Sequence, residues 1–223
     1  MINVLISYRT KHKLKRCEKR SARLGAGQGE VMTQQEVVEI FKQTGAWKTK
    51  GHFTYTSGRC GTDYLDKYVI YSRPRITSKL CQAITSYFID NDIQVVIAPA
   101  MGGIILSQWV AFHLTNYTGV EVLSTYAEKL PGSNLFAISH NYEEFIRGKR
   151  VLVVEDILVT GGSVRKVIRA TQLIGGFVVG VGALWNRGNV TFEDLKDALK
   201  LFSLVNIKLD SWCEAECPFC HRQ

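Results

Sequence analysis

One fourteen-residue block constrains this chain more than any other part of it: Val151 to Val164, VLVVEDILVTGGSV. An apolar run, Val151–Val154, reaches two adjacent acids, Glu155 and Asp156. After Ile157, Leu158 and Val159 comes Thr160-Gly161-Gly162-Ser163, and the pattern then turns helical with Val164, Val167, Ile168 and Thr171. Apolar runs without alternation mark strands buried on both faces, which belong to parallel sheets covered by helices. Two further runs of that texture, Ile93–Ala98 and Phe177–Val181, are separated from it by helical patterns, and Leu201–Ile207 is another strand candidate. The expected fold is α/β, an open, mostly parallel sheet flanked by helices.

Elements ahead of the sheet are also legible. Thr33-Gln34-Gln35-Glu36 has capping-box spacing, with Val37, Val38, Ile40 and Phe41 behind it, so a helix is predicted from there to about Thr44, stopped by Gly45. Residues 51–74 alternate aromatic and polar side chains around a glycine-containing turn, which predicts a hairpin. Residues 75–90 place Ile76, Leu80, Ala83, Ile84, Tyr87 and Phe88 on one helical stripe. The organisation that follows is a phosphate-site domain over 32–209, with a small N-terminal hood at about 45–75 and a core at about 76–209. A basic extension over 1–31 precedes it and a cysteine-rich tail over 210–223 follows.

Charge and cysteines narrow the class. Of the formal net charge of +8, six units come from residues 1–31, where eight Lys and Arg side chains face only Glu18 and Glu30. The body is therefore close to neutral and lacks the basic stripe of a nucleic-acid reader, so nucleic acid is not an expected partner. The basic segment, followed by the small-residue stretch Ala22 to Gly29, reads as a disordered extension or as sequence ahead of a start at Met32; the competing reading is an arm that touches RNA or anionic surfaces. No apolar run approaches the roughly 18 residues of a membrane span. In MINVLIS the charge follows the apolar stretch, the reverse of a signal peptide. Six cysteines are too few for a disulfide framework, so a reduced, cytoplasmic protein is expected.

The chemistry sits in the loop after the 151 strand. In an open parallel sheet ligands lie beyond the carboxyl ends of the strands. Glycines that turn backbone N–H groups inward, at the start of a helix, make a phosphate cradle. Glu155 and Asp156 would repel that phosphate unless they face another part of the ligand. Acids accepting from the 2′ and 3′ hydroxyls beside a 5′-phosphate cradle describe a ribose-5-phosphate pocket.

The block resembles the phosphoribosyl pyrophosphate (PRPP) motif of the type I phosphoribosyltransferases. That resemblance implies ribose contacts from Glu155 and Asp156, and PRPP contacts along Ile157, Leu158, Val159, Thr160, Gly161, Gly162 and Ser163. Ile97 to Gly103 resembles the family's pyrophosphate loop, which puts Gly102 and Gly103 against the diphosphate. The stretch Gly51 to Lys67 is similar to the Ser-Gly-x-x-Ser-x-x-Tyr hood of orotate phosphoribosyltransferases, its second serine position falling on Gly61 or Thr62. Leu65, Asp66 and Thr160 then stand near the base, while Arg59 and Lys67 are either site residues or solvated charges. Arg187, after the 177 strand, resembles the arginine that orotate-using members place on the base's carboxylate, which a guanidinium fork grips in a bidentate pair.

The region matching the family's closing loop, Tyr126 to Phe145, offers only Lys129 and His140 as cations, with Lys129 the candidate catalytic one. The resemblance implies transfer of a phosphoribosyl group from PRPP to orotate, Mg²⁺ carried by PRPP, and a homodimer. Two other readings stay open: the same chemistry on another base, or a PRPP-sensing regulatory or RNA-binding protein. In the tail, Cys213, Cys217, Cys220 and His221 are candidate ligands of a structural zinc, with unliganded thiols as the alternative.

Overall fold

A computed structural model describes residues 32–55, 58–196 and 200–220, so the basic segment 1–31, Ser57 of the hood motif and His221 lie outside the described residues. Helix α1, Gln34–Gln43, begins as its capping box requires: the Glu36 N–H donates to Thr33 Oγ1 at 3.3 Å and the Thr33 N–H to Glu36 Oε2 at 2.7 Å. It turns Val37, Val38 and Phe41 inward. The hood consists of two ribbons of two-residue strands. In one, β1 (Trp47–Lys48) pairs antiparallel with β4 (Tyr64–Leu65); in the other, β2 (Phe53–Thr54) pairs with β3 (Cys60–Gly61). A short helix, α2 (Lys67–Tyr71), which the periodicity does not reveal, links the hood to α3 (Pro74–Phe88).

The core then alternates. Strand β5 (Val95–Pro99) leads to α4 (Ile104–Thr118), β6 (Leu123–Lys129), β7 (Phe136–Ile138) and α5 (His140–Ile146). Strand β8 (Arg150–Leu158), α6 (Gly162–Leu173), β9 (Phe177–Asn186) and β10 (Leu201–Asn206) complete it. The six-stranded sheet runs β10-β9-β8-β5-β6-β7, parallel except for the β6–β7 pair. Strands β8 and β9 are longer than their β-branched runs because each continues in register along the other, Glu155 opposite Ala183 and Leu158 opposite Asn186. The expected closing-loop region is largely ordered as β6, β7 and α5.

Two apolar layers sandwich the sheet. On one face Leu152 and Val154 pack with α1, α3 and α4 through Phe41, Leu80, Ile84, Leu106 and Val110. On the other, Val151 and Val153 pack with Ile146, Val164, Val167 and Ile168. Successive side chains of a strand point to opposite faces, so a single apolar run feeds both layers.

Trp185 joins the hood to this core. It is fully buried, meets Phe41 and Trp47 edge-on at 5.2 and 5.1 Å, and donates its indole N–H to the Ile207 carbonyl at 3.1 Å. Trp185→Ala removes the largest side chain of the core and leaves a cavity, and is expected to lower unfolding free energy by about 3–5 kcal/mol in urea titration. Trp185→Phe should fall clearly short of that loss.

Candidate active site

The acids are part of β8, not of the loop behind it. Burial is nearly complete, with Glu155 8 % and Asp156 6 % exposed. Asp156 faces the hood, where Lys67 Nζ, at the first turn of α2, lies 2.6 Å from Oδ2. Its other oxygen accepts the Ile157 N–H at 2.6 Å, and the Asp156 N–H donates to Glu155 Oε1 at 3.1 Å. Burial works against the Lys67 charge, but attraction and hydrogen bonding to Asp156, with Glu155 adding to them, leave its pKa above the ordinary value. Burial, then the Asp156 charge, push the Glu155 carboxyl well above the usual carboxylate range. Tyr71 lies close by with its hydroxyl buried, its pKa raised first by burial and then by the same Asp156 charge.

The β5–α4 turn lies against this pair. A Cβ at Gly102 would overlap both Asp156 Oδ2 and Lys67 Nζ, so a side chain there would displace the ion pair. Across the sheet edge, Thr160 to Ser163 opens α6. Gly161 adopts a left-handed conformation, φ +68°, as the helix N-cap, and the Gly162 N–H donates to Thr160 Oγ1 at 3.3 Å. The first N–H groups of a helix have no intrahelical acceptor and carry partial positive charge, which is what an anion requires. Arg165, absent from the sequence reading, buttresses this turn by donating to the Thr160 carbonyl at 2.8 Å and the Asp194 carbonyl at 3.2 Å.

Arg187 emerges at the end of β9, its N–H donating to the Leu158 carbonyl at 3.0 Å. It is only 6 % exposed. Its guanidinium lies 4.5 Å from the centre of the Tyr55 ring and donates to the Tyr55 hydroxyl at 3.0 Å, and that hydroxyl donates onward to the Asp63 carbonyl at 2.5 Å. No carboxylate of the described residues lies within ion-pair distance of it. Arg59 instead grips Ser211, through Nε to Oγ at 3.1 Å and through Nη2 to the carbonyl.

Other expected residues lie apart from this centre. The Leu65 side chain belongs to the apolar core, and Asp66 pairs with Lys48 at 2.9 Å. Lys129 closes β6 opposite Phe136 and is exposed; His140 is exposed and lies 3.6 Å from Glu143. Among the described contacts, none joins Lys129 or His140 to the acids or the cradle.

Of the expected tail ligands, His221 lies outside the described residues; among those described, Cys217 and Cys220 come together with His52 and Cys60 of the hood and not with Cys213. The reason is a backbone bridge: the Cys60 N–H donates to the Trp212 carbonyl at 2.9 Å and the Trp212 N–H to the Cys60 carbonyl at 2.8 Å. That bridge brings the tail against β3, and Cys213 falls at the start of the turn Glu214–Glu216. The His-x₇-Cys spacing of His52 and Cys60 was the available signal, and it is a weak one.

Residues 71–220 match the family model for the phosphoribosyl transferase domain. The chain belongs to that family. An orotate phosphoribosyltransferase of Pelotomaculum thermopropionicum is 40 % identical to it over 189 residues, 85 % of this chain and 93 % of that one. Among solved structures, the Mycobacterium tuberculosis orotate phosphoribosyltransferase in complex with PRPP shares its fold at TM-score 0.59 and 23 % identity, over 78 % of this chain and 96 % of that one. The adenine phosphoribosyltransferase of Saccharomyces cerevisiae does so at TM-score 0.58 and 20 % identity, over 76 % and 99 %. The common phosphoribosyltransferase fold thus accommodates both a pyrimidine and a purine enzyme, and the base must be argued from side chains.

The raised Glu155 pKa gives a prediction with a definite sign. Below the ordinary carboxyl value of 4.5 the group is protonated folded or unfolded; as pH rises past it, the folded state bears a growing penalty. Glu155→Gln keeps the shape without the charge. It should melt at the native temperature near roughly pH 4 and above it at neutral pH, by scanning calorimetry across that range.

Proposed function

We propose that this phosphoribosyltransferase acts on orotate, transferring the 5-phosphoribosyl group from PRPP to give orotidine 5′-monophosphate and pyrophosphate. The observation that carries the reading is Arg187, a buried guanidinium beside the cradle with no carboxylate partner among the described residues. A buried charge demands a counter-charge, and orotate brings a carboxylate that the fork can grip. The identity to enzymes named for orotate supports the same base.

In this reading Glu155 and Asp156 hold the ribose hydroxyls and the Thr160–Ser163 turn holds the 5′-phosphate. Gly102 and Gly103 leave room for the diphosphate, and Thr160 with Arg187 faces the base. The reaction centre develops oxocarbenium character, so the chain supplies orientation and charge, not a nucleophile. Lys67 is the ammonium beside the pyrophosphate loop; Lys129, exposed at the end of β6 and apart from the acids, is the second cation assigned to the pyrophosphate. Mg²⁺ brought in with PRPP would supply neutralisation of the charge on the departing diphosphate. On the protein side Asp156 Oδ2 is already committed to Lys67 at 2.6 Å, so such an ion would rest on the substrate's own oxygens.

A homodimer in the cytoplasm completes the proposal. Its support is α4, with the run IILSQWVAF, on which Ile105 and Phe112 stay exposed in the single chain. Light scattering should then give twice the 25.1 kDa of one chain. One observation favours the sensor reading instead: Lys129 and His140 stand apart from the acids, and of the two acids only Asp156 is ion-paired among the described residues, to Lys67.

Initial-rate assays decide between these readings. Turnover is expected with orotate, and rejection of uracil, which lacks the carboxylate, on the order of 10⁴-fold, with that preference collapsing in Arg187→Ala. Asp156→Asn should lower kcat/KM by about 10²-fold or more through loss of ribose positioning. Equal rates on orotate and uracil would sink the orotate assignment. PRPP binding with no turnover on any base would make the protein a sensor.

A further inference from the structure

We propose that His52, Cys60, Cys217 and Cys220 form a tetrahedral zinc site that clamps the C-terminal tail to the hood. The four donor atoms all lie within 4.8 Å of one another. Cys60 Sγ is 3.4 Å from Cys220 Sγ, and His52 Nε2 is 3.4 Å from Cys217 Sγ and 3.3 Å from Cys220 Sγ. A zinc tetrahedron with bonds of about 2.3 Å to sulfur and 2.0–2.1 Å to nitrogen has edges of about 3.5–3.8 Å; the three separations above fall a few tenths of an ångström inside those edges, and the remaining pairs lie no farther apart than 4.8 Å. Three thiolates and one imidazole are a closed structural set for zinc, and soft thiolates exclude Mg²⁺ and Ca²⁺.

The surroundings are those of a ligand site. The N–H groups of Phe219 and Cys220 donate to the Cys217 sulfur within the Cys-Pro-Phe-Cys turn. Thr54 Oγ1 lies 3.8 Å from Cys60 Sγ, a hydroxyl placed to support the ligand sulfur. Phe219 covers the site, its ring 5.9 Å from His52 and 6.1 Å from Trp212. A Cys60–Cys220 disulfide is the competing use of two of these sulfurs, but it would strand Cys217 and His52.

The clamp has a purpose in the fold. Two-residue ribbons are marginal on their own. The β2–β3 ribbon runs between His52 and Cys60, and the next residue after β2 is Tyr55, which covers Arg187. Zinc therefore acts as a positioning device for the hood over the base-reading arginine.

The first test needs no substrate, so it stands or falls apart from the orotate reading. Full-length protein purified without chelator should carry one zinc per chain by elemental analysis. Cys217→Ser and Cys60→Ser should lose that zinc and melt lower, while Cys213→Ser keeps both zinc and melting temperature. Where a ligand variant fails to fold, cobalt(II) loaded into the native chain should show the intense visible bands of a tetrahedral thiolate centre. Stripping the zinc should raise KM for orotate more than KM for PRPP. Absence of zinc after reducing purification, no tetrahedral cobalt spectrum, or an intact mass with a Cys60–Cys220 disulfide would each overturn the proposal, as would zinc loss in Cys213→Ser equal to that in Cys217→Ser.

Discussion

Two adjacent carboxylates are buried in β8 beside one ammonium, which pairs with Asp156, and the arrangement of the site depends on that pair. Removing carboxylates from water is costly unless each finds a partner. Asp156 finds Lys67; Glu155 has its pKa displaced upward instead. Because Lys67 belongs to the hood and Asp156 to the central sheet, the ion pair is also the electrostatic tie between the two. Gly102 lies so close to it that the β5–α4 turn, the acid strand and the hood meet at one point.

The sheet explains why they meet there. Both faces of β5, β8 and β9 are sealed by apolar layers, so polar groups can gather only where the strands end. Alternation along β8 sends Asp156 toward the hood, the face that Leu152 and Val154 also occupy. The hood, built from ribbons too short to stand alone, is held by contacts at its margins. Trp47 rests on Trp185, Tyr55 lies over Arg187, and Cys60 bonds to Trp212 of the tail. Each of these contacts joins residues more than a hundred positions apart, except for the local hydrogen bonds that shape the ribbons themselves.

The sequence by itself determined the class of fold and the place in it where the acid pair meets a glycine turn and a helix start. Unalternating β-branched runs can be buried only in a covered parallel sheet, and the Glu155-Asp156 to Ser163 spacing is local, so its geometry follows from strand, turn and helix rules. The capping box of α1 was legible for the same reason, since its two hydrogen bonds span three residues. The tertiary structure alone decided the rest. Strand lengths were set by neighbours, as β8 and β9 extended each other beyond their apolar runs. Spacing leaves Lys67 either a site residue or a solvated charge; α2 is what aims it at Asp156. The spacing of His52 and Cys60 does not place them against Cys217 and Cys220, because such a cluster depends on how the tail packs, and no periodicity encodes contacts across 150 residues of chain.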